Sequence, residues 1–429
     1  MSRTKAHPNN REFFPASDLK PQSPHTQKFI QSLKTFRAFG TETRIEQVDA
    51  VSNHPIRYFI NEFWTSKQRA SSPLHEISYR ACFKPQLPAF FIEHLTQVGD
   101  TVFDPFLGRG TTALEAVRLG RHAAGNDANP LSRILLEPRL SPPDIESIES
   151  RLDSIGFEHS GNIDSELLAF YHPNTLKKVY ALRNYFIERE SNSSLDNIDT
   201  WIRMVATNRL TGHSPGFFSV YTLPPNQAVS VARQNKINRD REQSPPDRDV
   251  KAIILKKSKS LLKNLDTDSA ELMRKYSDNS LLLCGSADRT PEIKNNSIDL
   301  VVTSPPFLAT VDYQGDNWLR CWFNNIDPNS VNFWQFSKLG DWVEKMNATF
   351  KELSRIVKPA GYVAFEVGEV NKGTVLLEQA LLPVIEKSGF TPLLVLINEQ
   401  EFTKTSNAWG VSNQTKGTNT NRILLLQRN

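Results

Sequence analysis

The stretch TVFDPFLGRGTTALEAVRLGRHAAGND (Thr101–Asp127) decides the fold. TVFD is a short apolar strand, and the turn after it carries Gly108 and Gly110. Ala113, Leu114 and Val117 then set a helical stripe, and HAAGND reads as a second strand. A strand, a glycine turn, a helix and a strand form the unit from which helix-covered parallel sheets are built. The last third of the chain continues the pattern. SIDLVVTS (Ser297–Ser304) is a continuous β-branched run, typical of a strand buried on both faces. Val343, Met346, Phe350, Leu353 and Ile356 mark an amphipathic helix, which KPAG (Lys358–Gly361) stops before the strand YVAFEV (Tyr362–Val367). PLLVLIN (Pro392–Asn398) and NRILLLQ (Asn421–Gln427) are two further strands flanking a polar loop. The expectation is an α/β, Rossmann-like sheet that ends in an antiparallel strand pair and binds ligand beyond the carboxyl ends of its strands.

Between these stretches the texture changes. Residues 142–280 carry Pro-Pro pairs, a Gly/aromatic stretch TGHSPGFFSVY and a basic run, and read as a large insertion between the two parts of one domain, 56–141 and 281–429. Residues 1–55 are polar and dotted with proline, an arm expected to be partly disordered, with only KFIQSLKTFRAF (Lys28–Phe39) helical in pattern. The 429 residues include 51 Lys+Arg against 47 Asp+Glu, a net charge of +4, so any nucleic-acid surface must come from local clustering. No run approaches the ~20 apolar residues of a membrane span, and the first residues lack the apolar core of a secretory signal. Cys82, Cys284 and Cys321 are too dispersed for a disulfide framework or a zinc site. A cytoplasmic protein without membrane or metal partners is expected.

Two constellations carry chemistry. In Asp104-Pro105-Phe106-Leu107-Gly108-Arg109-Gly110-Thr111-Thr112 the glycines let the backbone approach a ligand closely. The following helix offers free N–H groups, and Asp104 can hold a ligand ammonium. Asp127, closing the next strand, suits a pair of ribose hydroxyls. The second constellation is Ser304-Pro305-Pro306-Phe307. Consecutive prolines cannot continue a central strand, and they fix the backbone so that the Pro305 carbonyl points outward. With the Ser304 oxygen this carbonyl forms a two-acceptor clamp for an exocyclic NH2, and Phe307 offers a stacking face for a planar ring. An amine held by both acceptors aims its lone pair at an electrophilic methyl group, so a general base is not obviously required.

These motifs resemble those of the amino-group DNA methyltransferases that use S-adenosyl-methionine and carry a Ser-Pro-Pro-Tyr/Phe catalytic motif. FDPFLGRGTT (Phe103–Thr112) resembles the family's methionine-binding loop, and FKPQLP (Phe83–Pro88), with Phe83 and Lys84, its other cofactor motif. The resemblance implies a Rossmann-like methyltransferase sheet, with Asp127 on the ribose and Asp288, in GSAD, on the adenine amino group. It departs from the family at Arg109, where Ser is more usual, and at Phe307, where Tyr is commoner.

The insertion is the expected target-recognition region. From Arg233 to Lys263 ten basic residues face four acidic ones. Arg233, Lys236, Arg239, Arg241, Lys256, Lys257 and Lys259 are the expected contacts to the phosphates of double-stranded DNA, and Asn226 and Gln227 could read adenine edges. Cytosine-5 methylation is excluded, because the nucleophilic cysteine of that family follows a proline and none of the three cysteines does. Ser304 favours N4 of a flipped-out cytosine over N6 of adenine, the closest competitor, because the adenine branch more often has Asp or Asn there. A non-catalytic DNA-binding partner is the alternative from another class. A cognate restriction endonuclease is a partner that the resemblance leaves open.

Overall fold

The computed structural model describes residues 23–48, 56–65, 71–80, 82–223, 228–306, 312–367, 369–370, 375–399 and 421–429. The strands are β1 (Arg44–Val48), β2 (Ile56–Asn61), β3 (Thr101–Asp104), β4 (His122–Asp127), β5 (Leu281–Cys284), β6 (Ile298–Thr303), β7 (Val357–Val367), β8 (Glu369–Val370), β9 (Val375–Leu376), β10 (Phe390–Asn398) and β11 (Asn421–Arg428). Nine of them form one sheet in the order β1-β2-β10-β11-β7-β6-β3-β4-β5, and β8 pairs with β9 separately. Strands β7, β6, β3, β4 and β5 run parallel. Strand β11 runs antiparallel to both β7 and β10. The expected α/β sheet with a final antiparallel pair is therefore present.

From β3 the chain proceeds through β4 to β5 on one side, and later through β6 to β7 on the other. The order reverses between β3 and β6, and the crevice beyond their carboxyl ends is where such sheets bind ligands. Successive residues face opposite sides, so Val102, Leu300 and Val302 enter one apolar core while Phe103 and Val301 enter the other. That two-sided burial is why Leu300, Val301 and Val302 follow one another without a polar residue between them.

The segment between β4 and β5 is helical: Leu131–Leu140, Ile145–Ser154, Pro173–Ser191, Asn197–Arg209, Val231–Asp240, Val250–Leu262 and Thr267–Ser277. Its buried Leu176, Trp201 and Ile254 belong to the same core cluster as Val102 and Leu300, so it packs directly on one face of the sheet. The Trp201 indole N–H donates to Ser258 Oγ at 3.0 Å, which satisfies both groups in that core. Helix Val231–Asp240 docks beside helix Tyr313–Phe323: Ala228 N–H donates to Asp316 O at 3.0 Å and Trp318 Nε1 to Val229 O at 3.2 Å.

Two details differ from the sequence expectation. Helix Leu339–Ile356 runs straight into β7, and KPAG lies within that strand instead of ending before it. Ala360 takes φ of 64°, and the β6–β7 register shifts between Ile298 and Leu300, so the proline is absorbed in a bulge. Of the 1–55 arm, residues 1–22 and 49–55 lie outside the described residues. Pro24–Lys34 is a helix burying Phe29, Ile30 and Leu33, and β1 extends the sheet through β2. No helix of the described residues is long and apolar enough to cross a membrane, and no metal-ligating cluster occurs among them.

Candidate active site

β3 ends on Asp104 and the neighbouring β6 on Thr303. Thr303 Oγ1 donates to Asp104 Oδ1 at 2.6 Å, and the Phe106 N–H adds a bond of 3.1 Å to the same oxygen. Burial nevertheless pushes the Asp104 carboxyl up to about 7, because removing a carboxylate from water outweighs these neutral donors. At the end of β4, Asp127 accepts from the Gly108 N–H at 2.7 Å and the Asn129 N–H at 2.9 Å, and burial raises its carboxyl as well. Neither carboxylate is in an ion pair with a described lysine or arginine, although buried charges are normally paired.

The turn between them is built for close approach. Gly108 and Gly110 take φ of 53° and 79°, and a Cβ at Gly110 would meet the Leu136 side chain at 2.6 Å. Arg109, the departure from the usual serine, is buried. Its guanidinium donates to the carbonyls of Ile77 at 3.0 Å, His75 at 3.3 Å and Phe83 at 3.4 Å, and so clamps the segment before FKPQLP onto the turn. Thr112 is buried and donates to Val302 O at 3.0 Å, tying the turn to β6. Trp342 Nε1 donates to Pro306 O at 2.9 Å and anchors the Ser-Pro-Pro segment.

One cavity brings together Phe83, Asp104, Pro105, Phe106, Gly108, Thr111, Asp127, Ser304 and Pro306 of the residues expected from sequence. Lys84, Gly110, Thr112, Pro305 and Asp288 are not in its wall. Phe307 lies outside the described residues, as do Asn226 and Gln227. Asp288 accepts from Lys345 Nζ at 2.6 Å and from Ser286 Oγ, while Ser286 and Ala287 themselves reach the cavity.

The cavity also contains residues that the sequence reading does not single out. Tyr79, Tyr313, Phe333 and Trp334 give it an aromatic rim. Tyr313 and Phe333 lie parallel, 10° apart in plane with centroids 6.3 Å apart, and Trp334 meets Phe106 edge-on at 5.5 Å. A signal exists in NFWQF (Asn332–Phe336), where aromatics crowd a non-periodic polar stretch. Outside the wall, Glu366 also stands out, as the single carboxylate of the apolar stretch YVAFEV.

The basic run splits when placed in three dimensions. Arg233, Lys236, Arg239, Arg241, Lys256 and Lys259 are exposed, on or at the end of helices Val231–Asp240 and Val250–Leu262. Arg241 stacks on Tyr221 with its guanidinium carbon 3.8 Å from the ring centre. Lys257 is largely buried and pairs with Glu76 at 3.2 Å. Arg233 lines a groove with Asp312, Asp316 and Trp318, beside the helix that carries Tyr313 of the cavity.

The fold and cavity define a class: a doubly wound α/β protein with two carboxylates, buried Asp104 and half-buried Asp127, at its switch point and Ser304 on the same cavity. The amino-acid sequence narrows it. A family model described as DNA methylase, covering N6 and N4 methyltransferases, matches residues 8–159, which include Asp104 and Asp127 and end before Ser304. The chain is similar to the type II methyltransferase M.BsoBI of Geobacillus stearothermophilus, 26% identical over 296 residues, 62% of this chain and 56% of the relative. It is also similar to M.MvaI of Kocuria varians, 25% identical over 282 residues with the same coverage. The chain thus spans a little over half the length of these curated relatives. Among solved structures, a geranyl diphosphate C-methyltransferase of Streptomyces coelicolor aligns over 96% of this chain and 99% of its own, with a TM-score of 0.36 and 9% identity.

Proposed function

We propose that the chain is a DNA methyltransferase that uses S-adenosyl-methionine and modifies the exocyclic N4 of a flipped-out cytosine in double-stranded DNA. The observation that carries the reading is the pair of carboxyls, buried Asp104 and half-buried Asp127, on the same cavity as Ser304. A ligand that brings a positive charge to Asp104 and hydroxyl donors to Asp127 suits this pair, and S-adenosyl-methionine carries both an ammonium and a ribose. When bound, the cofactor supplies an electrophilic methyl group.

The protein's own residues do the rest. Asp104 holds the ammonium and Asp127 the ribose hydroxyls, with the Gly108 turn allowing close backbone approach. Ser304 Oγ and the Pro305 carbonyl accept the two hydrogens of the target amine and orient its lone pair. The next carbonyl along, that of Pro306, is already taken by Trp342 and holds the segment in place. A base inside a duplex hides its amine from a cavity this deep, so the base must leave the stack, at a cost of a few kcal/mol. Phe307 and the aromatic rim offset part of that by stacking, worth about 1–3 kcal/mol per base. Ser304 favours cytosine; the matching family model covers both amino-group products. Sequencing that reports modified bases, applied to the DNA of a host expressing the chain, tests the reading. N4-methylcytosine at a fixed motif is expected, and unmodified DNA would refute it.

The solvent-facing cations of the insertion should neutralise DNA phosphates. Reversing Lys256 and Lys259 to glutamate should weaken DNA binding and flatten its salt dependence, by about one unit of slope for each phosphate no longer neutralised. Lys257, paired with Glu76, is left out of this variant because reversing it would also disturb packing. An unchanged slope in a titration at several salt concentrations would return these residues to an ordinary solvated helix face.

A further inference from the structure

Glu366 has no part in the chemistry described so far. It is 8% exposed, near the carboxyl end of β7. Its neighbour Phe365 pairs with Thr303 in the parallel register, which sets Glu366 beside Ser304. The neighbouring Ser304 hydroxyl favours the charged form of its carboxyl, and Asn421, the first residue of β11, donates to Oε1. These two neutral groups, one from the end of β6 and one from β11, are what face it among the described residues. Arg422, next along β11, is engaged by Glu378 at 2.7 Å.

We propose that Glu366 is a positioning residue for the amine clamp and, through Ser304, the acceptor of the proton that methyl transfer releases; the proposal rests on the methyltransferase reading above. By accepting the Ser304 hydroxyl proton, the carboxylate turns the lone pairs of Oγ towards the cavity, where they can accept an N–H of the target amine. When the exocyclic nitrogen forms its bond to the methyl carbon, the sulfur–carbon bond breaks and its electron pair stays on sulfur. The nitrogen is then cationic and must lose one proton. That proton moves to Ser304 Oγ as the hydroxyl proton passes to Glu366, which ends as the neutral acid and is deprotonated by solvent after product leaves. Burial pushes the Glu366 carboxyl up to about 7, where a group can both accept and return a proton at neutral pH.

Infrared titration of the free protein reads the carboxyl without turnover. Asp104 and Glu366 should both titrate near pH 7. Glu366→Gln should remove one of the two carboxylic-acid signals, and Ser304→Ala should move the Glu366 signal to higher pH. Single-turnover methylation of DNA at saturating cofactor supplies the second readout. The wild-type rate should rise with pH to a plateau above about 7, and Glu366→Gln should be at least tenfold slower and flat, with unchanged cofactor affinity. Should that variant fold poorly, Asn421→Ala keeps the carboxylate, removes a bond that stabilises its charge, and should shift the rate profile to higher pH. A Glu366→Gln enzyme within twofold of wild type with the same profile, or an Asn421→Ala profile that does not move, would overturn the proposal. Wild-type protein that methylates no DNA would instead remove the reading on which it rests.

Discussion

Ser304→Ala should lower turnover by about a hundredfold or more while cofactor affinity stays within twofold. Ser304 Oγ accepts a hydrogen from an amine whose nitrogen becomes cationic only as the methyl group transfers, so the bond strengthens in the transition state. Removing one such preorganised group costs about 10²–10³ in kcat. The cofactor carboxylates Asp104 and Asp127 lie on other strands and keep their own partners, Thr303, Gly108 and Asn129. A loss in kcat and in kcat/KM of equal size marks a group that acts only in the transition state. Single-turnover kinetics together with calorimetry of cofactor binding checks both halves; equal turnover, or a matching loss of affinity, would contradict the clamp.

The second large effect concerns Asp104. Asp104→Ala should weaken S-adenosyl-methionine by well over tenfold, since a lost charge-assisted hydrogen bond costs about 1.5–3 kcal/mol. The pH dependence is more telling. In the free protein burial holds the carboxyl at about 7, so below that pH it is mostly protonated. An ammonium requires the carboxylate, so binding in acid must release a proton. Affinity should therefore rise about tenfold per pH unit from pH 5 towards 7 and level off above, where no further proton has to leave. Asp104→Asn should bind weakly at every pH with this slope removed. Calorimetry in buffers of different ionisation enthalpy measures the released proton directly, and a wild-type affinity that is flat from pH 5 to 7 would rule out the assignment.

Much of the sheet is legible in the sequence because its strands are buried on both faces: TVFD, SIDLVVT and NRILLLQ are dominated by apolar residues. The site is legible where one backbone feature demands one residue type, as with glycine at positions 108 and 110 and the double proline after Ser304. What escapes is set by tertiary contact. Arg109 reads as a tolerated substitution in the turn, and its role appears only when its guanidinium reaches carbonyls from His75 to Phe83, about thirty positions earlier in the chain. The charge count over Arg233–Lys263 cannot show that Lys257 is buried against Glu76. Strand β2 becomes a strand because Tyr58–Asn61 pair with Val395–Asn398 far along the chain. A lone carboxylate in an apolar strand, as at Glu366, has meaning only once Ser304 and Asn421 lie beside it.

The most direct measurement is the product itself. Duplex DNA incubated with the protein and a donor bearing a deuterated methyl group can be digested to nucleosides and weighed by mass spectrometry, with Ser304→Ala and Asp104→Ala run in parallel. The expected result is deuterated N4-methylcytosine from the wild type and little or none from either variant. Deuterated N6-methyladenine would overturn the choice of base but leave the clamp standing. Deuterated 5-methylcytosine, or no labelled nucleoside at all from a protein that binds both cofactor and DNA, would contradict transfer to an exocyclic amine held by Ser304 and Pro305.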